Sequence, residues 1–342
     1  MALISKKKKP YPISEGFHAY LKKFDREVST PIHYPDLLRY QNSIPLYDSR
    51  DNDTLWETVY YSQGDMAEIY AALLQIYVIM KAGGREDLMK HLSVDRVDLC
   101  VYGNTQPFRV RIVNKINDNF DYFYIKHADA SRVYGLELEA LLSPNYISYI
   151  VSDTSLIEEH IVGIPGDQFI KQYLNSPTLN EIRLAKEFVK FNERCFVRLL
   201  GDMHSSNFVV DITPDFEEVT YRLRALDFDQ QSYEGRRAVY LPQYFKQNNP
   251  IIEVGERNME HATMKQYQQE ERTLIATRIR SFSRQLRELL HCMRQDRLAP
   301  QEHVEQLRKE LAKHYKNDTF LGCQSMGAIV EQSLRECYGG PF

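Results

Sequence analysis

The sequence lacks the features of several protein classes. Its five cysteines include no Cys-x-x-Cys pair, so it predicts neither a disulfide framework nor a zinc site and favours reduced intracellular thiols. The longest apolar stretch, 71–80, falls far short of the roughly 20 residues that a membrane-spanning helix needs. A formal net charge of −4 without a basic stripe argues against nucleic acid as a partner. We therefore expect a cytoplasmic protein with no membrane span.

The first half of the chain carries mainly strand patterns. Residues 65–81 keep apolar side chains at helical spacing, which predicts a helix, and a second helical piece is expected at 85–92. Beyond them, runs rich in β-branched and aromatic residues are separated by turn residues and predict an antiparallel meander. The three predicted strands are 97–102, 108–113 and 122–125.

A helix is predicted at 131–142, followed by two more strands at 146–151 and 156–162. Beyond residue 166 the pattern is mainly helical, and the apolar stripe through 275–293 is typical of core packing. A β-rich half followed by an α-rich half predicts an α+β fold of two lobes. We place an N-terminal extension at 1–94, an N-lobe at 95–162 and a helical C-lobe at 163–342.

The most informative segment is a short loop followed by a hairpin. Asp202 stands five residues before Asn207, and Asp227 follows the strand that returns from the hairpin. Metal-assisted phosphoryl transfer needs a carboxylate to orient the attacking hydroxyl, and it needs an amide oxygen and a second carboxylate to hold Mg²⁺. The pattern therefore indicates metal-assisted phosphoryl transfer, with Mg²⁺ held against nucleotide phosphates.

These residues resemble the protein-kinase-like superfamily, especially its aminoglycoside and choline phosphotransferase branch. The loop of that branch reads H-G-D-x-H-x-x-N, and here 201–207 reads G-D-M-H-S-S-N with Leu200 in place of the first His. The later I-D-F/W-D/E motif appears as Leu226-Asp227-Phe228-Asp229. The resemblance implies a phosphotransferase that uses ATP and Mg²⁺, in which Asp202 is the catalytic base and Asn207 and Asp227 bind Mg²⁺. It also makes Asp229 a possible second metal contact.

The same resemblance assigns residues to nucleotide binding. It implies that Lys126 binds the phosphates and is held by a helix glutamate, for which Glu139 is favoured over Glu137. A hinge segment is expected at 159–161, where Glu159, His160 and Ile161 offer backbone groups to adenine. Gly103 stands where the glycine-rich turn of the family is expected.

Other interpretations stay open. Asp202 and Asn207 also suit a simple capping turn, and His204 is expected to be structural. The G-D-x-H start also occurs in metallophosphoesterases, but the chain has no later G-N-H-D segment. A pseudokinase that binds a nucleotide or a partner without turnover is the non-enzymatic alternative.

The acceptor is a hydroxyl group of unknown identity. The resemblance of the Asp202 and Asp227 loops to those of small-molecule phosphotransferases favours a small molecule as the acceptor. The missing A-P-E segment and the single glycine of the nucleotide turn argue against a protein kinase, although an atypical Ser/Thr kinase with a protein substrate remains an alternative.

Overall fold

The computed structural model describes residues 8–82, 90–103, 105–214 and 219–342. They form two compact units. The first, which we call the sheet unit, consists of His18–Asp129 and Ile147–His160. The second, the helical unit, consists of residues up to Phe17 together with Ala130–Tyr146 and Ile161–Phe342.

The elements of the first 160 residues are mainly strands. In chain order they are α1 (Glu15–Lys23), α2 (Tyr34–Leu37), β1 (Asn42–Tyr47), β2 (Asp53–Tyr60), α3 (Gln63–Ala82), β3 (Leu92–Leu99), β4 (Phe108–Asn114), β5 (Phe120–His127), α4 (Ala130–Leu142), β6 (Tyr149–Ser152) and β7 (Ser155–Glu159). The seven strands form one antiparallel sheet in the order β1-β2-β3-β4-β5-β7-β6.

The remaining elements are mainly helices. They are β8 (Ile164–Pro165), α5 (Gly166–Gln172), α6 (Glu181–Arg198), β9 (Phe208–Pro214), β10 (Val219–Ala225), α7 (Asn249–Asn258), α8 (His261–Ser281), α9 (Ser283–Gln295), α10 (Gln301–Tyr315) and α11 (Met326–Tyr338). Strands β8, β9 and β10 form a small antiparallel sheet in the order β10-β9-β8. The chain is therefore α+β, with an antiparallel N-terminal sheet region and a helical C-terminal region, as the sequence predicts.

Alternation along the strands gives the large sheet one apolar face. Phe123 and Ile125 on β5 are buried in the same core cluster as Ile69 and Leu73 of α3. Side chains of consecutive strand residues point to opposite faces, so Lys126 lies on the face opposite this core. The helix predicted at 65–81 is thus confirmed as the helix that covers the apolar face.

The boundary predicted at residue 94 does not separate two compact units. Strands β1 and β2 belong to the same sheet as β3, and residues 18–94 lie within the sheet unit. The sequence pattern did not indicate β1, because this strand lies at the sheet edge and its side chains are mostly exposed. It also contains Pro45, a residue that edge strands tolerate. Of the helix predicted at 85–92, residues 85–89 lie outside the described ranges, and Leu92 begins β3.

Helix α4 is confirmed close to its predicted limits, but it belongs to the helical unit and not to an N-lobe. It contacts α8 and α9 and is buried over nearly its whole length. The apolar stripe predicted through 275–293 is also confirmed as core, divided between α8 and α9 at Phe282. None of the described helices is long and apolar enough to cross a membrane.

Candidate phosphoryl-transfer site

The loop that carries Asp202 begins where α6 ends. The helix stops at Leu199, which adopts the left-handed conformation with φ 55° and ψ 47°. Leu200, at the position where the phosphotransferase motif has histidine, is buried. At Gly201 a Cβ atom would lie 3.0 Å from Val239 Cγ1 and 3.1 Å from the carbonyl oxygen of Gln230. Only glycine fits this close approach without displacing its neighbours.

Asp202 and Asn207 are joined by hydrogen bonds within the loop. The backbone N–H of Asp202 donates to the carbonyl of Val239 over 3.1 Å, and Asp202 adopts a left-handed φ of 63°. Asn207 donates from Nδ2 to the carbonyl oxygen of Asp202 over 2.8 Å. Because the amide nitrogen is used in this way, the Oδ1 atom of Asn207 is the part of the side chain suited to a cation.

The loop with Asp227 is tied to the same place. The backbone N–H of Leu226 donates to the carbonyl of Asn207 over 2.8 Å, which sets the start of the Asp227 loop beside the end of the Asp202 loop. Within the loop, the N–H of Asp229 donates to Asp227 Oδ1 over 3.0 Å. Phe228 is buried against α4, where a Cβ atom on Gly135 would lie 3.0 Å from the Phe228 Cβ.

Both aspartates of this loop bind an arginine that the sequence did not single out. Arg132 Nη1 lies 2.7 Å from Asp227 Oδ1 and 2.8 Å from Asp229 Oδ1. Arg132 stands in the first turn of α4 and is 3% exposed. A charged residue at the start of an otherwise largely apolar helix was the available signal, but nothing in the local pattern identified its partners.

The carboxyl group of Asp202 has a strongly perturbed environment. Burial raises its pKa to about 7, and the negative charges of Asp227, Glu234 and Asp229 add to the rise. A carboxyl group with a pKa near neutrality can accept and release a proton at physiological pH, as a general base must. Perturbed carboxyl groups of this kind are concentrated at functional sites.

His204 makes its contacts within the loop that carries Asp202. Its Nδ1 accepts a hydrogen bond from the Ser206 N–H over 3.3 Å, and its Nε2 lies 3.9 Å from Asp202 Oδ1. Burial lowers the pKa of the imidazole, which favours the neutral ring that the Nδ1 contact requires. His204 thus stabilises the turn around Asp202.

The oxygen atoms at the site fit Mg²⁺. Asn207 offers an amide oxygen, and the side chain of Asp227 is 35% exposed, so solvent reaches it. Across the described ranges, no group of three or more His, Cys, Asp and Glu side chains is arranged to hold a metal. A Mg²⁺ site commonly takes one or two protein ligands, and phosphate oxygens and water complete its coordination.

Lys126 and Glu139, which the sequence predicts to pair, each bind a partner within their own unit. In the helical unit, Glu139 accepts a hydrogen bond from Arg198, and both side chains are 2% exposed. Burial acts to raise the pKa of Glu139, but the Arg198 guanidinium outweighs it and holds this pKa below its ordinary value. In the sheet unit, Lys126 Nζ lies 2.7 Å from Glu158 Oε2 on β7.

The helical spacing of Glu137 and Glu139 could not identify Arg198 as the partner of Glu139, because the two residues are 59 positions apart in the sequence. Glu137, the other candidate, lies 3.4 Å from the amide of Gln285. The lysine of the predicted phosphate contact is thus held by a glutamate of its own sheet.

Sheet pairing uses part of the predicted hinge. The N–H of Glu159 donates to the carbonyl of Ser148 over 3.0 Å, and that of His160 to the carbonyl of Tyr122 over 3.2 Å. Neither group is therefore available to a purine ring. Of the three predicted hinge residues, Ile161 is therefore the one at which a backbone N–H contact to adenine stays a prediction.

Gly103 lies in a tight turn between β3 and β4. Its carbonyl accepts a hydrogen bond from the Gln106 N–H over 3.1 Å, and a Cβ atom there would lie 3.2 Å from Cys100 Sγ. The close packing accounts for the glycine. Asn104, the next residue in the sequence, lies outside the described residues, and a nucleotide contact at Gly103 stays a prediction.

Comparisons with known proteins assign no family. No family model matches the chain, and no curated protein matches it. Among the solved structures that match is one described as titin kinase and its flanking domains, with 14% identity and a TM-score of 0.26. The match covers 75% of this chain and 56% of that chain, so this chain spans little more than half of that length. A likeness at this level carries no argument for fold or activity.

Proposed function

We propose that the chain is a protein-kinase-like phosphotransferase that moves the γ-phosphoryl group of ATP to a hydroxyl acceptor. The observation that carries the proposal is the joining of Asp202, Asn207 and Asp227 in one site of the helical unit. Their order along the chain is the order that the family resemblance implies, and hydrogen bonds from Asn207 to Asp202 and from Leu226 to Asn207 connect the two loops.

In the proposed reaction, Asp202 orients the acceptor hydroxyl and takes its proton. The acceptor oxygen forms a bond to the γ-phosphorus while the bond from that phosphorus to the β–γ bridging oxygen breaks, and ADP leaves with the bridging oxygen. The raised pKa of Asp202 suits this role, because a base with a pKa near the working pH transfers protons most effectively. The carboxylate then returns the proton to solvent.

Asn207 and Asp227 would hold the metal in this scheme. Mg²⁺, when bound, neutralises charge on the phosphate oxygens. The tie between Asn207 Nδ2 and the Asp202 carbonyl fixes the amide, so its oxygen keeps one orientation beside the base. Preorganised ligands of this kind lower the cost of assembling the site.

A small hydroxylated molecule is the acceptor that the resemblance to small-molecule phosphotransferases favours. The pseudokinase alternative differs in one measurable respect, since it would bind nucleotide or partner without forming ADP. The phosphate contact expected of Lys126, a residue of the sheet unit that pairs with Glu158, stays a prediction.

Thermal unfolding with ATP tests nucleotide binding. A ligand that binds only the folded protein raises the unfolding temperature, so ATP with Mg²⁺ is expected to stabilise the native chain more than ATP with EDTA. The difference should disappear in Asp227→Ala. Asp211→Ala, on β9, is the matched control and should behave as the native chain does. Equal stabilisation with Mg²⁺ and with EDTA contradicts the proposal.

A further inference from the structure

We propose that Arg132 is a resident cation that replaces a second divalent metal, so that the site takes one metal ion per nucleotide and Asp229 is not a metal ligand. This inference rests on the proposed phosphotransferase function. It assigns a role to an arginine that no sequence motif identified, and it changes the role expected for Asp229.

The geometry places one nitrogen at the point where the two carboxylates converge. Arg132 Nη1 lies within hydrogen-bond distance of Oδ1 of both Asp227 and Asp229, at 2.7 and 2.8 Å. A second metal ion that coordinated both of these oxygens would have to compete with Nη1 for them. Arg132 Nη2 also approaches the carbonyl of Leu226, at 3.3 Å, so the guanidinium contacts both ends of the Asp227 loop.

The charge of this resident group is permanent. Guanidinium groups stay protonated in proteins, and hydrogen bonds between ionised partners are stronger than those between neutral ones. Asp229 is the less exposed of the two carboxylates, at 19% against 35% for Asp227. Arg132 thus places its positive charge on both carboxylates, and Asp227 is the one that solvent reaches more readily.

Helix α4, which carries Arg132, is held in place by contacts along its length. Gly135 of α4 packs directly on Phe228, the residue between the two aspartates. At the other end of the helix, Arg278 of α8 donates to the carbonyls of Ala140 and Leu141 over 2.9 and 3.0 Å. These contacts hold α4 on the Asp227 loop, which keeps Arg132 in place as a fixed cation.

Metal stoichiometry tests the proposal. We would titrate Mn²⁺ into the full chain with a non-hydrolysable ATP analogue and count bound ions by electron paramagnetic resonance. The native chain is expected to bind one Mn²⁺, and Arg132→Gln is expected to bind a second, more weakly. Two ions on the native chain, or one ion on a folded Arg132→Gln variant, overturn the proposal. Arg132→Lys keeps the charge and should bind one.

If Arg132→Gln does not fold, the variant Asp229→Asn tests whether Asp229 is a metal ligand. In Asp229→Asn the arginine keeps its contact with Asp227, and the Mn²⁺ dissociation constant should change by less than about threefold. A loss of affinity of about tenfold or more makes Asp229 a ligand and overturns the inference. Absence of any bound Mn²⁺ on the native chain instead contradicts the proposed function, and the inference falls with it, whereas two bound ions leave the proposed function intact.

Discussion

Asn207 donates from Nδ2 to the carbonyl oxygen of Asp202 over 2.8 Å, so the amide of the proposed metal ligand is fixed by the backbone of the proposed base. The carbonyl of Asn207 in turn accepts from the N–H of Leu226, which precedes Asp227. One asparagine thus connects the residue for proton transfer with the loop for metal binding. Its replacement should affect both stability and metal-dependent binding.

Asn207→Ala is expected to lower the free energy of unfolding by about 1 kcal/mol, the usual net value of one hydrogen bond. It should also remove the additional stabilisation that Mg²⁺ gives with ATP. Ser206→Ala is the matched control, because Ser206 is exposed in the same turn and should change neither quantity. Urea unfolding and thermal shift provide the two measurements. Mg²⁺-dependent stabilisation that survives in Asn207→Ala would remove this residue from the metal site.

The buried pair of Glu139 and Arg198 is expected to be structural. Removing one partner leaves an uncompensated buried charge, which costs about 3–5 kcal/mol. Glu139→Ala should therefore lower the free energy of unfolding by that amount in urea denaturation. The control is Glu305→Ala on the exposed side of α10, with an effect of less than about 0.5 kcal/mol. A fully stable Glu139→Ala variant that had lost ATP binding would restore the original assignment of Glu139 to the lysine.

Lys126 and Glu158 are predicted to be energetically coupled. Their side chains are 11% and 6% exposed and lie 2.7 Å apart. Removing either one should therefore leave the charge of the other unpaired and lower the free energy of unfolding. In a double-mutant cycle of Lys126→Met and Glu158→Gln, we expect a coupling energy of about 1–3 kcal/mol. The same variants, followed by ATP titration, show whether the lysine binds phosphates. Additive effects of the two substitutions on stability would contradict the pairing.

Asp202 should make the metal-free protein less stable as the pH rises. Its folded pKa of about 7 exceeds the unfolded value, so the folded chain holds the proton more tightly and stability falls between about pH 4 and pH 7. Asp202→Asn removes this dependence. With a quarter of the side chain exposed, we expect the variant to be more stable at pH 8 by on the order of 2 kcal/mol and equal to the native chain near pH 4.

Urea unfolding in EDTA across this pH range measures the difference. The carboxyl groups of Asp227 and Glu234 contribute to the rise of the Asp202 pKa, so Asp227→Asn should lower it and shift the transition to lower pH. A stability difference between native chain and Asp202→Asn that does not depend on pH would show that Asp202 has an ordinary pKa.

Local patterns were sufficient to predict much of the fold. The helix at 65–81 could be predicted because its apolar residues repeat at helical spacing. The helix at 131–142 ends at Ser143-Pro144, and the strands around Phe108 and Phe123 are runs of β-branched and aromatic residues between turn residues. The edge strand β1 was missed, since an exposed strand with Pro45 has no alternation to detect. The membership of α4 in the helical unit depends on contacts with α8 and α9, which lie more than 100 residues away.

In the candidate site, too, only the features that depend on local sequence could be predicted. Gly201, Asp202, Asn207 and Asp227 could be recognised because a short loop and a hairpin bring them together through local sequence. The partners of the charged groups could not. Arg132 is 95 residues from Asp227, and Glu158 is 32 residues from Lys126. Ion pairs between distant segments depend on tertiary packing, which no spacing in the sequence encodes.

The most direct test of the proposed function follows the γ-phosphoryl group itself. The native chain, Asp202→Ala, Asp227→Ala and the control Asp211→Ala would be incubated with γ-labelled ATP, Mg²⁺ and a fractionated cell extract, with label and ADP measured together. We predict Mg²⁺-dependent transfer to a low-molecular-weight fraction by the native chain and the control, and a loss of at least about a hundredfold in Asp202→Ala and Asp227→Ala. Transfer that is unchanged in either of these variants, or ADP formation by the native chain no faster than by them, would contradict the proposed function.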